Sequence, residues 1–251
     1  MIEREDVDGI AVLRLAHGPV NAMDLELCRA IAECFRDLVA DPARAVVITG
    51  GGRTFSAGVD LRRLLDGGAE YVEKFLPALN DSFRAVFELA KPVVAAVNGH
   101  AVAGGAVLAA AADHVLMADG RGRIGVPEIV VGVPFPRVPL EVVRYAVGDV
   151  AARRLVVGAQ THPPADAQAF GLVDEVVPAD ELLDRALAAA RRLAGEIPPD
   201  TFAITKGQLR REHVLRMETY TDEEGPVAAL WARRVADGWT ADYLAKATGK
   251  S

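Results

Sequence analysis

"NGHAVAGGAVLAAAADH", residues 98–114, is the stretch on which the reading of this chain turns. Two adjacent glycines, Gly104 and Gly105, stand directly before an apolar, alanine-rich run. Glycine has no side chain to keep a ligand off the backbone, so this arrangement presents bare N–H groups at the start of a buried helix. Just upstream, "KPVVAAVNG" (91–99) is a short continuous apolar run closed by glycine, the signature of a strand covered on both faces. Strand, glycine turn and helix together predict an α/β unit.

The same unit recurs nearer the N-terminus. "RAVVITG" (44–50) is a second buried-strand run, followed by the loop "GGRTFSAGVDL" (51–61) and a long helix between about Ala69 and Ala90. Before it, "IAVLRL" (10–15) reads as a strand ending at the turn "AHGPVNAM" (16–23). A helix follows, capped by Asp24, with Leu27, Ile31, Cys34, Phe35 and Leu38 on one face. Downstream, "DHVLMAD" (113–119) and "GRIGVPEI" (122–129) are further strands, and "GLVDEVVP" (171–178) reads as a short edge strand. Helices are expected over 136–147, 149–158 and 179–194, then over two C-terminal segments rich in Arg, Glu and Ala. The alternation predicts an α/β core over residues 1–195. "AGEIPPD" (194–200) is a linker candidate leading to a helical lobe over 196–251.

Composition narrows the function classes. The 251 residues are 51% hydrophobic and 25% charged, which fits a soluble globular chain with a sizeable core. A net charge of −7 argues against a nucleic-acid partner; a phosphate-bearing ligand would need a local basic patch. The longest apolar run, Gly104 to Ala112, is too short to span a bilayer, so no membrane association is expected. "MIEREDVDGI" has acids where a signal peptide would be basic and apolar, which makes a reducing cytoplasm the expected compartment. The two cysteines, Cys28 and Cys34, lie in one helical segment without a second ligand type nearby, so neither a metal nor a disulfide is expected.

Two loops share a design. "FSAGVDL" and "VAGGAVL" both follow a buried strand and set glycine against an apolar residue. Two N–H groups converging from separate strand ends would make an oxyanion hole, able to stabilise charge on a thioester or ester oxygen. On spacing alone, both read rather as ordinary strand-to-helix turns. "GGRTFSAG" lacks the Gly-Lys-Ser/Thr ending of a phosphate loop, and no G-x-G-x-x-G follows a strand. "TFSAG" approaches a nucleophile elbow, but Thr54 occupies the first glycine position, so Ser56 with His100 or His114 is a weak hydrolase reading. His17, in a Gly-Pro turn, reads as a solvated loop residue, and His114, at a strand start, as structural.

The pieces "GPVNAM", "VVITGGGRTFSAGVDL", "KPVVAAVNGHAVAGGAVLAAAADHVLMAD", "IGVPEIVVGV" and "AFGLVDEVVP" stand in the order they take in the crotonase superfamily. The chain resembles that superfamily, the enoyl-CoA hydratase/isomerase family, over most of residues 10–180. The resemblance implies a spiral of ββα units with a C-terminal helical region, assembled as a homotrimer or a dimer of trimers. It implies an acyl-CoA thioester substrate, with coenzyme A entering as part of that substrate and no separate cofactor. Its two oxyanion donors fall on the backbone N–H groups of Val59 and Gly104.

By the same resemblance, hydratases place one glutamate in the helix after the glycines and a second in a "PE" motif. The first position is Val107 here, and the second is Glu128. Hydration is easiest with two such groups, whereas moving a double bond from C3 to C2 needs one base to carry a proton from C2 to C4. Glu128 is therefore the expected base of a Δ3,Δ2-enoyl-CoA isomerase, its pKa raised by burial. A hydratase or other crotonase reaction using Glu128, alone or with His100, and a catalytically weak acyl-CoA binder are the alternatives. Substrate contacts implied by the family pattern are Val20, Ala22, Ser56, Asp60, Leu61, Arg62, His100, Val107, Pro127 and Phe135. "GVPFPRVPL" (132–140) has prolines and Phe135 where hydratases often have a glycine-rich stretch, which implies a differently shaped acyl pocket. Arg53, Arg62, Arg63 and Lys206 are the candidate partners for the charged end of coenzyme A.

Overall fold

The computed structural model describes residues 1–247. The first hairpin pairs β1 (Ile2–Val7) with β2 (Ile10–Leu15) in antiparallel register around Asp8 and Gly9. Both turn residues have positive φ, at 52° and 78°, which is what a two-residue Asp-Gly hairpin turn demands. Helix α1 (Leu25–Asp37) then starts at Asp24, whose side chain accepts from the Leu27 N–H. Its apolar face buries Leu27, Cys28, Ile31 and Phe35, close to the face read from the sequence.

Three consecutive ββα units follow. The first is β3 (Ala45–Gly50), β4 (Thr54–Ser56) and α2 (Leu61–Glu88). The second is β5 (Val93–Val97), β6 (His100–Val102) and α3 (Gly104–Ala110). The third is β7 (His114–Ala118), β8 (Ile124–Gly125) and α4 (Glu128–Val131). In each unit the first strand joins one sheet and the second joins another. The large sheet runs β1-β2-β3-β5-β7-β10, parallel after its first pair. The small sheet runs β4-β6-β8-β9, with only its last pair antiparallel. This is the crotonase-like spiral in an α/β frame.

The strands "AVVITG" and "VVAAV", apolar but for Thr49, are wholly buried, because helices cover both faces of the large sheet. The chain continues through α5 (Arg137–Gly158), β9 (Thr161–His162), α6 (Pro164–Ala169), β10 (Glu175–Val177) and α7 (Leu182–Glu196). α5 breaks at Gly148, with φ 74°, at the boundary between the two helices expected there. β10 is the edge strand foreseen in "GLVDEVVP".

Two readings of local structure differ from the sequence-based expectation. α2 begins at Leu61, not near Ala69, and turns a corner at Gly68 (φ 61°, ψ −154°). β4 and β6 of the small sheet fall in stretches read as loop and turn, since three residues carry no period, whereas β8 lies within the strand read from "GRIGVPEI". Beyond α7, α8 (Pro199–Thr219) packs on α5, α9 (Glu224–Ala236) on α2, and α10 (Trp239–Ala247) on α9, α2 and α4. Only Ile197 and Pro198 separate α7 from α8, a shorter joint than the expected linker. The last four residues of the expected 196–251 lobe lie outside the described residues. No described helix is long and apolar enough to cross a membrane.

Candidate active site

The small sheet organises the site. β4, β6 and β8 are parallel neighbours, so the loops leaving their C-terminal ends lie side by side. Those loops carry Val59, Gly104 and Glu128. The first two are pressed together. A Cβ on Gly58 would fall 2.3 Å from the Val102 carbonyl oxygen and 3.1 Å from the Gly104 nitrogen, so only glycine fits there. Gly105 is pinned in the same way, since a Cβ would meet Ser56 O at 2.4 Å.

Backbone bookkeeping then leaves donors free. Met23 forms an isolated parallel bridge to Val59: its N–H donates to Gly58 O at 2.7 Å, and its carbonyl accepts from Asp60 N at 3.0 Å. That pattern turns the Val59 N–H to the opposite side. Neither the Val59 nor the Gly104 N–H has a hydrogen-bond partner among the described residues. Ala103, just before Gly104, holds φ 52° and ψ −124°, a conformation costly for a residue with a Cβ. Its N–H donates to Gly125 O at 2.8 Å and its carbonyl accepts from Ala106 N at 2.8 Å, which fixes the turn into α3.

Glu128 opens α4 behind Pro127, which is itself buried. Its side chain is only 7% exposed, and its Oε2 has no hydrogen-bond partner among the described residues. Burial without a compensating charge pushes the carboxyl up to about 8. Such a group holds a proton at the lower end of the physiological range and releases it just above, which suits a general base. On α10, Tyr243 has its hydroxyl pushed up as well, by burial and then by the charge of Glu128.

A cavity of about 590 Å³ lies beside the first donor loop. Val20, Ala22, Val59, Asp60, Leu61 and Arg62 are among its walls, and so are His17 and Tyr243. Arg62 is exposed at the rim with no ion-pair partner among the described residues, while Arg63 is taken by Glu26 at 2.6 Å. The Asp60 side chain caps α2, accepting from the N–H groups of Arg62 and Arg63 at 2.9 and 3.2 Å.

The family model for enoyl-CoA hydratase/isomerase matches residues 5–227. The chain belongs to the enoyl-CoA hydratase/isomerase family. A Thermus thermophilus relative that carries a provisional enoyl-CoA hydratase name is 37% identical over 225 residues, 86% of each chain. Human mitochondrial enoyl-CoA delta isomerase 1 is 28% identical over 227 residues, 89% of this chain and 75% of the human one. The crystal structure of human mitochondrial delta3-delta2-enoyl-CoA isomerase superposes with a TM-score of 0.92 at 25% identity, over 100% of this chain and 99% of that one.

Within the family frame, the remaining expected residues divide. Val107 is fully buried in the core on α3, and Phe135 is 9% exposed after α4; neither lines the cavity. Ser56 is fully buried with its hydroxyl donating to Asn21 O at 2.7 Å and accepting from Gly58 N at 3.1 Å. It shapes the donor loop, and its hydroxyl partners are both backbone groups. His100 is exposed at the start of β6, the end away from Gly104, so the structure does not bring it to the donors. Lys206 is not a surface cation: burial lowers it to about 8, and it is bound to Asp113 at 2.7 Å beside a different cavity.

Two polar residues of the cavity wall escaped the sequence reading. His17 is held by Asp24, Nε2 to Oδ2 at 2.7 Å, and is not a free loop residue. Tyr243 arrives from α10, where no motif or period marks it. Only the pairing of an N-cap aspartate with a histidine seven residues earlier carried any signal for the first, and nothing did for the second.

Proposed function

We propose that this chain is a Δ3,Δ2-enoyl-CoA isomerase. One observation carries the reading: Glu128 is a buried carboxylate whose Oε2 has no partner among the described residues, while the position of the other hydratase glutamate is the core residue Val107. Glu128 takes a proton from C2 of a 3-enoyl thioester; the C2–H electron pair forms a C1–C2 double bond and the carbonyl pair moves onto the thioester oxygen, giving a dienolate that still holds its C3–C4 double bond. The N–H groups of Val59 and Gly104 hold that oxygen; one such donor is worth about 10²–10³ in rate. Glu128 then returns the proton at C4, and the charge on oxygen collapses into the conjugated 2-enoyl product. The cavity walled by Val20, Ala22, Leu61 and Tyr243 receives the rest of the thioester, with Arg62 facing the charged end of coenzyme A. The likeness to the human isomerase, in sequence and across the whole fold, supports this choice within the family.

The test follows both reactions on matched chain lengths. A 3-enoyl-CoA is expected to isomerise faster than the 2-enoyl-CoA is hydrated, with kcat/KM rising through about pH 8 as Glu128 ionises. Hydration outpacing isomerisation tenfold or more promotes the hydratase reading. The same family reading has the chain assemble in threes; a monomer mass by light scattering at micromolar concentration overturns that part.

A further inference from the structure

α4 is a single turn of four residues, too short to be stable by itself. Inside the loop, Val133 N donates to Glu128 O at 3.2 Å and Gly132 N to Ile129 O at 3.2 Å, so Gly132 and Val133 are coupled directly to the residue that carries the carboxylate. The turn's outward carbonyls are met from the C-terminal helices. Trp231 Nε1 donates to Pro134 O at 2.9 Å, Arg234 Nε to Gly132 O at 3.3 Å, and Trp239 Nε1 to Val130 O at 3.4 Å. Glu224 closes the far end by accepting from Arg137 N at 2.9 Å. The Trp239 ring lies on Gly132 so closely that a Cβ there would come within 2.5 Å of it. Arg234 stacks over the same ring at 5.3 Å and pairs with Asp237 at 2.6 Å, which holds its donor in place.

These contacts differ in what they secure. Trp231 is 2% exposed and packs near Phe75, with ring centroids 6.4 Å apart, so it anchors the tail to the core. Trp239 is 53% exposed and belongs to no core cluster. A large ring left half in water, with its N–H on a backbone carbonyl of the Glu128 turn, has little packing reason to be there. All three of Trp231, Arg234 and Trp239 lie beyond residue 227, where the family match ends.

We propose that Arg234 and Trp239 are positioning residues for Glu128: they hold the carbonyls of Gly132 and Val130 and so fix the turn from which the base projects. This rests on Glu128 being the base. Loosening the turn moves the carboxylate off its line to C2, and a displacement of about 1 Å costs up to about a hundredfold in rate. It also lets water in, so the carboxyl falls from about 8 towards its ordinary 4.5. Tyr243 of α10 faces Glu128, and Asp242 and Lys246 of that helix are exposed. From α5, Arg137 is held by Glu223 and Glu141 is held by Arg144 and His213; from α9, Arg234 is held by Asp237.

The experiment measures exchange of the C2 protons of a 3-enoyl-CoA into D2O, which needs only a base and a stabilised enolate. Trp239→Ala and Arg234→Met are expected to lower kcat for exchange about ten- to a hundredfold, with KM within twofold, and to shift the acidic limb of kcat to lower pH. Trp239→Phe, which keeps the ring, and Arg234→Lys, which keeps a donor, are expected to recover part of both effects. Unfolding midpoints are recorded for all four. A fall in kcat with the limb unmoved, or an unchanged kcat in folded Trp239→Ala, overturns the proposal. Glu128→Gln run alongside separates the two levels. If it keeps normal exchange, the base assignment falls and the positioning role falls with it. If it loses exchange while the Trp239 and Arg234 variants keep theirs, only the positioning role falls.

Discussion

Two buried ionisable sites in this molecule make a useful pair: Glu128, and the cluster of Asp113, Lys206 and Arg210. Asp113 accepts from Lys206 at 2.7 Å, Arg210 at 2.8 Å and Val93 N at 2.9 Å. Arg210 also donates to Phe87 O and Ala112 O and stacks over the Phe87 ring. The cluster ties α8 to the strands and turn around β5 and α3, and nearly every polar atom in it has a partner. Among the described residues, Glu128 has neither a cation nor a donor on Oε2. Burial alone therefore does not mark function; a buried charge marks function when the fold leaves it unanswered. In the sequence Lys206 reads as a solvated cation and Glu128 as the expected base; in the fold the lysine is paired with Asp113, while Glu128 Oε2 has no partner among the described residues.

The sharpest way to break this contrast is Glu128→Gln. Removing a positioned base is expected to lower turnover by about 10²–10⁴ while binding of the thioester persists. The fold should gain from it above neutral pH. Glu128 has a folded pKa of about 8 against an ordinary 4.5, so the folded chain keeps a proton that the unfolded chain releases. Its stabilising contribution is full below pH 4.5 and is lost as pH rises through about 8. Denaturant unfolding at pH 5 and at pH 8.5 should show the glutamine variant losing less between the two; equal losses contradict the raised value.

Asp113→Asn probes the other member. It leaves Lys206 and Arg210 buried without their counter-charge, which costs about 3 kcal/mol or more. Turnover of the molecules still folded is expected to stay normal, since none of the three lines the cavity that holds Val59. A variant of unchanged stability and impaired turnover would reverse the roles assigned to the two sites. A smaller effect is expected at Ala103, whose φ of 52° glycine tolerates. Ala103→Gly should relieve about 1 kcal/mol of strain and slow turnover severalfold, by letting the Gly104 donor wander. If both stability and rate rise, the strain has no part in holding the donor.

Much of the frame was legible because it rests on period and punctuation. "AVVITG" and "VVAAV" could only be strands covered on both faces, and the Asp24 cap and the Gly148 break fell where composition put them. The charged strand "IEREDV" was missed because it is an exposed edge whose hairpin partner alone defines it. The site was half legible. Glycine pairs revealed where backbone must come close, and "PE" pointed to the carboxylate that the fold buries. His17, Tyr243 and the tail contacts to Gly132 and Val130 were not, because each depends on segments far apart in sequence meeting at one loop. Lys206 misled for the converse reason: a lysine in a polar helix reads as solvated until Asp113 is seen opposite it.

The bridge between Met23 and Val59 has a consequence for how this site can change over generations. The N–H it leaves free belongs to the main chain, and every amino acid except proline supplies one. No codon at position 59 encodes the donor; the path of the chain does. Mutation can therefore rewrite the Val59 side chain, and with it the shape of the adjoining cavity wall, while the donor itself is inherited intact. The cavity wall is free to drift at the position where the path of the backbone is fixed.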